Sequence, residues 1–307
     1  MMRPASITRV AVLGGGFSKE RDVSLISGAA AARALEAKGF DVTVIDPPRD
    51  MAAFVAAVTA AKPDVVFNAL HGRFGEDGCI QGILDMMRIP YTHSGRLASA
   101  VAMDKPMAKR MFAAAGIPVA EERIVTRAEA EQGDVMERPY VLKPINEGSS
   151  VGVKIVRHGD NRPPLDDLGL EMNDFIMAER FIPGREVTVA VLGDKPLAVT
   201  EITTARGFYD YEAKYAAGGS AHVLPAQLSP ALTQRAMDLS LAAHRILGCR
   251  GVSRADLRLD GENFFMLEVN TQPGLTPTSL VPEQAAHVGM PFNDLILWMV
   301  EHAQCDA

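Results

Sequence analysis

The chain is poor in the features that mark several protein classes. Among its 307 residues there are three cysteines, Cys79, Cys249 and Cys305, scattered and without a CxxC spacing. That excludes a disulfide scaffold and a structural zinc site, and it fits a reducing compartment. No stretch approaches the roughly 20 apolar residues of a membrane span. The N-terminal MMRPASITRVAVLGGG has only a short apolar run, Val10–Leu13, which leads into glycines rather than a cleavage site. Positive charge is not in excess: the formal net charge is −7, which argues against nucleic acid as a partner while leaving a local Lys/Arg cluster free to hold a small anion. Internal repeats, low-complexity tracts, a Walker GxxxxGK[ST] loop and an HExxH spacing are all missing. The expectation is a soluble cytoplasmic protein with no membrane partner.

What is present is a large apolar fraction, 48%, enough for two or three domains. Residues 7–14, 41–46 and 64–70 read as strands. Between them lie a helix capped by Ser18 and ended by Gly39, and another over 50–62. Strand and helix in alternation predict a parallel sheet with crossover helices, ending near residue 100. A helix over 104–116 follows, then strands at 137–144, 150–156, 174–182 and 185–193 without long helices between all of them. This predicts an antiparallel sheet. A helix at 230–247, strands at 252–259 and 263–269, and a helix at 292–303 complete the pattern.

The last two strands raise a chemical question. Asp256 and Glu268, with Asn270, fall on alternating positions that share a sheet face if the hairpin loop is Gly261-Glu262-Asn263, which sets Asp256 opposite Glu268 and Arg254 opposite Asn270. Adjacent carboxylates repel unless a cation joins them. Either Mg²⁺ does so, with phosphate oxygens completing its shell, or Arg254 and Arg258 neutralise the acids in an ion-pair ladder. VLKPINEGSSVGV (141–153) delivers Lys143 into a loop rich in glycine and serine, suited to phosphate or to an ordinary hairpin turn. G-G-G-F-S-K after the first strand is a poor dinucleotide fingerprint, because Lys19 stands where the third glycine belongs and only a distant Asp46 ends the second strand. Glu20 at the following helix start suits either an amine ligand or the helix dipole. LHGRFGEDG contains His71 without an HExxH or comparable metal-ligand spacing around it, and FYDYEAKYAAGGS (208–220) reads as a mobile lid or a packed loop. In MAERFIPGRE, Glu179 and Glu186 flank Phe181 and Ile182, an apolar pair that suits either a purine, with Glu186 on a ribose hydroxyl, or an ordinary bulged strand crossing.

Taken together, GGGFSKERDVSLISG, LHGRFGEDG, MDKPMAK, VLKPINEGSSVGV, FYDYEAKY, SRADLRLD and LEVNTQPGLTPTSLVP resemble the D-alanine–D-alanine ligase family of the ATP-grasp superfamily, from about residue 7 to 303. The resemblance implies an N-terminal α/β substrate domain (1–100), followed by two α+β lobes (101–185 and 186–307) that grip ATP. It implies ATP with two Mg²⁺ ions (or Mn²⁺), two D-alanine molecules as substrates, and a homodimer. By the same resemblance Lys105 and Lys143 contact phosphates and adenine, Ser149 and Ser150 lie in the loop over the phosphates, and Phe208 and Lys214 join the nucleotide set. Glu179, Phe181 and Ile182 frame adenine, and Glu186 takes the ribose. Asp256, Glu268 and Asn270 hold metal. Glu20 and His71 attend the first D-alanine, and Ser279 with the Leu280 backbone the second. Arg254 and the Gly274 N–H oppose the oxyanion. Tyr215 links lid to site through Glu20 and Ser149 and favours a dipeptide over a D-lactate product. Two rival readings are another ATP-grasp carboxylate–amine ligase and a non-catalytic nucleotide binder. The first is disfavoured by the Glu20 and Ser279 motifs. The second is disfavoured by the retention of every metal ligand and lysine.

Overall fold

The computed structural model describes residues 7–146, 152–161, 165, 174–204, 221–276 and 278–306. The first unit is α/β. Strands β1 (Arg9–Leu13), β2 (Asp41–Ile45) and β3 (Val65–Asn68) form a parallel sheet in the order β2-β1-β3. Helix α1 (Arg21–Ala37) connects β1 to β2, and α2 (Met51–Ala61) connects β2 to β3 on the other side of β1. The chain therefore leaves β1 and β3 in opposite directions, and the crevice at their carboxyl ends is where open α/β sheets place ligands. Asp50 caps α2 through the Ala52 N–H at 2.9 Å. Ser18 does not cap α1 as expected. Glu20 occupies the N-cap position without a side-chain cap, and the Ser18 hydroxyl instead donates to the His71 carbonyl. Gly28 lets α1 lie against the end of β1, since a Cβ there would stand 3.2 Å from the Gly14 Cα.

Short helices α3 (Cys79–Met86) and α4 (Arg96–Met103) lead to α5 (Lys105–Ala114), capped by Asp104 through the Met107 N–H. Two antiparallel sheets follow. One has the order β4-β7-β5-β6, built from β4 (Glu122–Thr126), β5 (Tyr140–Pro144), β6 (Lys154–Val156) and β7 (Phe175–Arg180), with helix α6 (Arg127–Gln132) after β4. The other has the order β10-β9-β8-β11-β12, built from β8 (Arg185–Leu192), β9 (Lys195–Thr203), β10 (Ala221–Val223), β11 (Val252–Asp260) and β12 (Asn263–Asn270). Helix α7 (Pro230–Ile246) packs on this second sheet, and α8 (Leu280–His287) and α9 (Phe292–Glu301) end the chain.

Two cores tie the units together. Val10, Val12 and Phe67 of the parallel sheet share a cluster with Val252, Val281, Ile296 and Val300, so the C-terminal helices return to the first unit. Phe112 of α5 packs with Leu257, Phe264 and Met266, which seats α5 on the five-stranded sheet. Each such buried large side chain contributes about 2 kcal/mol. No helix among the described residues is long and apolar enough to cross a membrane.

Candidate functional site

The β11–β12 hairpin brings together the residues that the sequence put on one face, by a different route. The turn is Gly261-Glu262, because Asp260 pairs with Asn263. Carried on without interruption, that register would set Asp256 opposite Leu267. A bulge intervenes: Leu257 pairs with Met266, while Asp256 pairs with Glu268 and Arg254 with Asn270. The bulge also explains why Phe264 and Met266 are buried and then Val269, three residues on rather than two. It returns Glu268 to the face of Asp256.

On that face the Asp256 carboxylate is well supplied with donors. Thr188 Oγ1 donates at 2.7 Å, Arg254 Nε and Nη2 at 2.8 and 2.6 Å, and Asn270 Nδ2 at 3.1 Å. The ladder reading is thus met for Arg254 but not for Arg258, which turns to Glu186 at 3.2 Å and to the carbonyls of Ile182 and Gly184. Glu268 faces Lys105, 3.8 Å away at the start of α5.

A second cluster lies on the four-stranded sheet. Lys143 on β5 meets Glu179 on β7 at 2.7 Å, and Glu179 also meets Lys109 of α5 at 2.5 Å. Lys109 reaches Glu122 at 2.8 Å and the Ala120 carbonyl at 2.9 Å. Burial would push the Glu179 carboxyl up, but Lys143 and Lys109 outweigh it and hold the group below the usual carboxylate range. Phe181 lies 5.7 Å from the Arg258 guanidinium, and Ile182 beside it is buried. Between β7 and β8 the chain passes so close to β11 that a Cβ on Gly184 would overlap the Leu259 carbonyl; its φ is +91°.

The third group gathers at the carboxyl ends of β1 and β3. Glu20 is buried and lies so close to Gly72 that a Cβ there would stand 2.8 Å from Glu20 Oε2. Its carboxylate therefore turns across the crevice toward the β3 loop. His71 has Ser27 Oγ at 3.2 Å from Nε2 and the backbone of Gln272 as partners, and burial pushes its pKa down to about 4, so the ring is neutral at pH 7. Glu76 completes the group: burial first, then the Glu20 and Glu268 carboxylates, push it up to about 8 against the opposing pull of Lys105. That mutual influence puts Glu20, Glu76, Glu268 and Lys105 in one electrostatic neighbourhood. Asp46 is bound by the Gly16 N–H at 2.8 Å and by Arg21, so the acid at the end of β2 closes the glycine loop itself, against a dinucleotide site. A cavity of about 360 Å³ opens beside Ser18 and His71, floored by Phe54, Leu70 and Ile80; the carboxylates of the hairpin do not line it.

Ser279 is the N-cap of α8, but its Oγ bonds Thr276 at 2.7 Å rather than capping the helix. A Cβ on Gly274 would stand 3.0 Å from that oxygen, and Leu280 begins the helix. Ser149, Ser150, Phe208, Lys214, Tyr215 and the whole of 208–220 lie outside the described residues. Two residues at the site escaped the sequence reading. Lys109 had a signal, since it lies four residues after Lys105 and so on the same helical face. Glu76 had none beyond belonging to a quoted motif.

The hairpin set fits a hard cation by its donors: two carboxylates and an amide. Among the described residues no cluster of three His, Cys, Asp or Glu side chains exists to enclose one, so phosphate oxygens would have to complete the shell.

Comparison with known proteins agrees with this arrangement. Family models described as D-ala D-ala ligase C-terminus and D-ala D-ala ligase N-terminus match residues 111–301 and 49–94. The D-alanine–D-alanine ligase of Rhodospirillum rubrum is 62% identical over 299 residues, covering 97% of this chain and 99% of that one. That of Paramagnetospirillum magneticum is 59% identical over 305 residues, with coverage of 97% and 99%. The crystal structure of the Bacillus anthracis D-alanine–D-alanine ligase complexed with ATP superposes with a TM-score of 0.80 at 29% identity, covering 97% of each chain. A parallel α/β unit followed by two antiparallel sheets, with a lysine–glutamate cluster on one and a hard-oxygen hairpin on the other, is the ATP-grasp architecture. Within it, the chain belongs to the D-alanine–D-alanine ligase family.

Proposed function

We propose that this chain joins two D-alanines into D-alanyl-D-alanine for peptidoglycan precursors, converting ATP to ADP and phosphate. The observation that carries the reading is the meeting of Glu20, Glu76, Lys105 and Glu268 in one electrostatic neighbourhood. It joins an amine-binding carboxylate of the first unit to a cation-binding hairpin of the last. The working division is 1–100 for the first substrate, and 101–185 with 186–307 for the nucleotide.

Asp256, Glu268 and Asn270 would hold Mg²⁺ (or Mn²⁺), up to two ions, which when bound neutralise phosphate charge. Arg254, whose guanidinium bonds Asp256, would be free to meet the anionic substrate where Asp256 serves the cation. Lys105 and Lys143 contact the phosphates and adenine edge, with Ser149 and Ser150 in the covering loop. Both oxygens of Glu179 are engaged by lysines, which restrains the Lys143 ammonium. Phe181 and Ile182 would frame the adenine with Glu179. Glu186, braced by Arg258, accepts from the ribose. Phe208 and Lys214 close on the nucleotide.

Glu20 takes the ammonium of the first D-alanine. The carboxylate of that substrate attacks the γ-phosphorus, the bond to ADP breaks, and an acyl phosphate forms. Neutral, buried His71 orients this substrate and does not exchange protons at pH 7. The second D-alanine sets its carboxylate on Ser279 and the Leu280 N–H, where the first turn of α8 favours an anion. Its free amine attacks the acyl carbon. Arg254 and the Gly274 N–H oppose the oxyanion, the C–O bond breaks, phosphate leaves, and the nitrogen loses a proton. The lid at 208–220, with Tyr215, excludes the water that would hydrolyse the acyl phosphate. A cytoplasmic homodimer is the expected form, and sedimentation velocity measures it.

The test is Mg²⁺-dependent ADP release with D-alanine, with L-alanine, and with D-alanine plus D-lactate. The expected result is strong release with D-alanine alone and a dipeptide product by mass. ATP binding without a D-alanine response overturns the substrate assignment and leaves the nucleotide site standing.

A further inference from the structure

We infer that Gln272 is a positioning residue for the first D-alanine, joining the strand end that carries Glu268 and Asn270 to the loop that carries His71 and Gly72. This rests on the ligase reading above. Gln272 lies two residues beyond Asn270 and is 3% exposed. Both halves of its amide are matched on the first unit, some two hundred residues away in sequence. Nε2 donates to the Leu70 carbonyl, and Oε1 accepts from Asn68 Nδ2 at 2.9 Å. Asn68, fully buried, spends its remaining capacity on the same loop: Nδ2 also reaches the Gly75 carbonyl at 2.9 Å, and Oδ1 accepts from the Leu70 N–H at 3.2 Å. The Gln272 backbone is in turn a partner of the His71 ring.

The loop so held is the one that shapes the Glu20 crevice. The His71 carbonyl accepts from Ser18 Oγ at 2.7 Å, and Gly72 packs against the Glu20 carboxylate. A shift of residues 70–72 therefore moves the Glu20 pocket relative to the hairpin that faces the phosphates. The position demands glutamine for three reasons. A donor and an acceptor are needed on one planar head, serine is too short to span the gap, and glutamate would set an oxygen against the Leu70 carbonyl. Methionine keeps the length but leaves the Leu70 carbonyl unmatched and Asn68 Nδ2 with the Gly75 carbonyl alone, in a buried site, so the loop relaxes away. The nucleotide residues Lys143, Glu179 and Glu186 make none of these bonds. The effect should accordingly fall on the first amino acid and on acyl-phosphate formation, and only weakly on ATP.

The experiment uses the full chain with Mg²⁺, ATP, D-alanine and excess hydroxylamine, which takes the place of the second D-alanine and traps D-alanyl hydroxamate. Gln272→Met should raise the KM for D-alanine about tenfold and lower kcat, with the ATP KM within twofold of wild type. Gln272→Glu should be worse. Gln272→Asn keeps a donor and an acceptor on one planar head but is one methylene short; it should fold and raise the D-alanine KM less than Gln272→Met does, with the ATP KM unmoved, a split that a purely structural role does not predict. An unchanged D-alanine KM in Gln272→Met, or parallel rises for D-alanine and ATP, overturns the inference. If Gln272→Met does not fold, Gln272→Asn gives the same readout. Wild-type protein that binds ATP but forms no hydroxamate from D-alanine overturns the ligase reading itself, an outcome distinct from failure in the variants alone.

Discussion

Replacing Lys109 by Met tests whether the cluster on the four-stranded sheet is held together as its geometry indicates. Lys109 is 2% exposed and its ammonium is shared by Glu179 at 2.5 Å and Glu122 at 2.8 Å. Methionine fills the same channel without the charge. Glu179, itself 3% exposed, would retain only Lys143. Removing one partner of a buried ion pair costs about 3–5 kcal/mol, and the surviving Lys143 puts this case at the lower end, about 3 kcal/mol. The unfolding entropy of a chain this long is roughly 0.6 kcal/mol per degree, so Tm should fall by roughly 5 °C at pH 7. The pH dependence has a definite sign. The Glu179 carboxyl is held below its reference value of 4.5, so its stabilisation is present above that value and is lost as pH falls through the lower folded value. In the variant the folded value rises, so the gap between wild type and variant should narrow as pH is lowered toward 4. Differential scanning calorimetry at pH 7 and pH 4.5 measures both effects. A Tm within 1 °C of wild type at pH 7 would refute the reasoning. So would a Lys109→Met/Glu179→Gln double variant as unstable as the two singles added, since removing both charges should recover much of the loss.

Three further outcomes follow from the same structure. Gly184→Ala forces a Cβ into the Leu259 carbonyl at positive φ and should destabilise the protein by about 3 kcal/mol; equal urea midpoints for variant and wild type would contradict this. His71, His93 and His244 are buried neutral, with pKa values pushed down by desolvation to about 4, 3 and 4, whereas the unfolded chain protonates near 6.5. Their contribution is complete above that value and falls as pH drops, by about 4 kcal/mol between pH 7.5 and 5.5, while Glu76, pushed up to about 8, takes up a proton in the folded state and offsets about 2–3 kcal/mol of it. The net loss is about 1–2 kcal/mol, and a urea midpoint that rises as pH falls over this range would be inconsistent with it. Asp256→Asn removes the carboxylate that binds Arg254 and faces Glu268, and should lower kcat at saturating ATP by about a thousandfold. A variant retaining a tenth of the wild-type rate at ordinary Mg²⁺ would remove Asp256 from the chemistry.

The parts of the fold that were legible in the sequence are those where local chemistry and burial agree. The strands β1, β8 and β11 carry apolar runs or alternations, and α2 and α7 begin at side-chain caps on Asp50 and Ser229. The helices α3, α4 and α8 were not anticipated; each starts at a residue with no side-chain cap, Gly78, Gly95 and Ser279, so the usual start signal is missing. The strands β4, β9 and β10 lack a clear alternation and owe their pairing to neighbours far along the chain. At the site, Asp256 and Glu268 were found, but the assumed three-residue loop was not the reason they meet.

The sequence by itself determined the opening strand–helix alternation, the β11–β12 hairpin, the motif residues and the family, because each depends on residue type and spacing along the chain. Only the tertiary structure decided how they act together. The bulge after Met266 sets Glu268 across from Asp256, a choice made by packing of Phe264 and Met266 into the core rather than by the turn. The sharing of Glu179 between Lys109 and Lys143 depends on α5 lying beside β5 and β7. The hold of Gln272 on Leu70 and Asn68 depends on two units folded against each other. In each case the deciding energy is the cost of leaving a buried charge or amide unmatched, and that cost exists only once distant segments have closed over it.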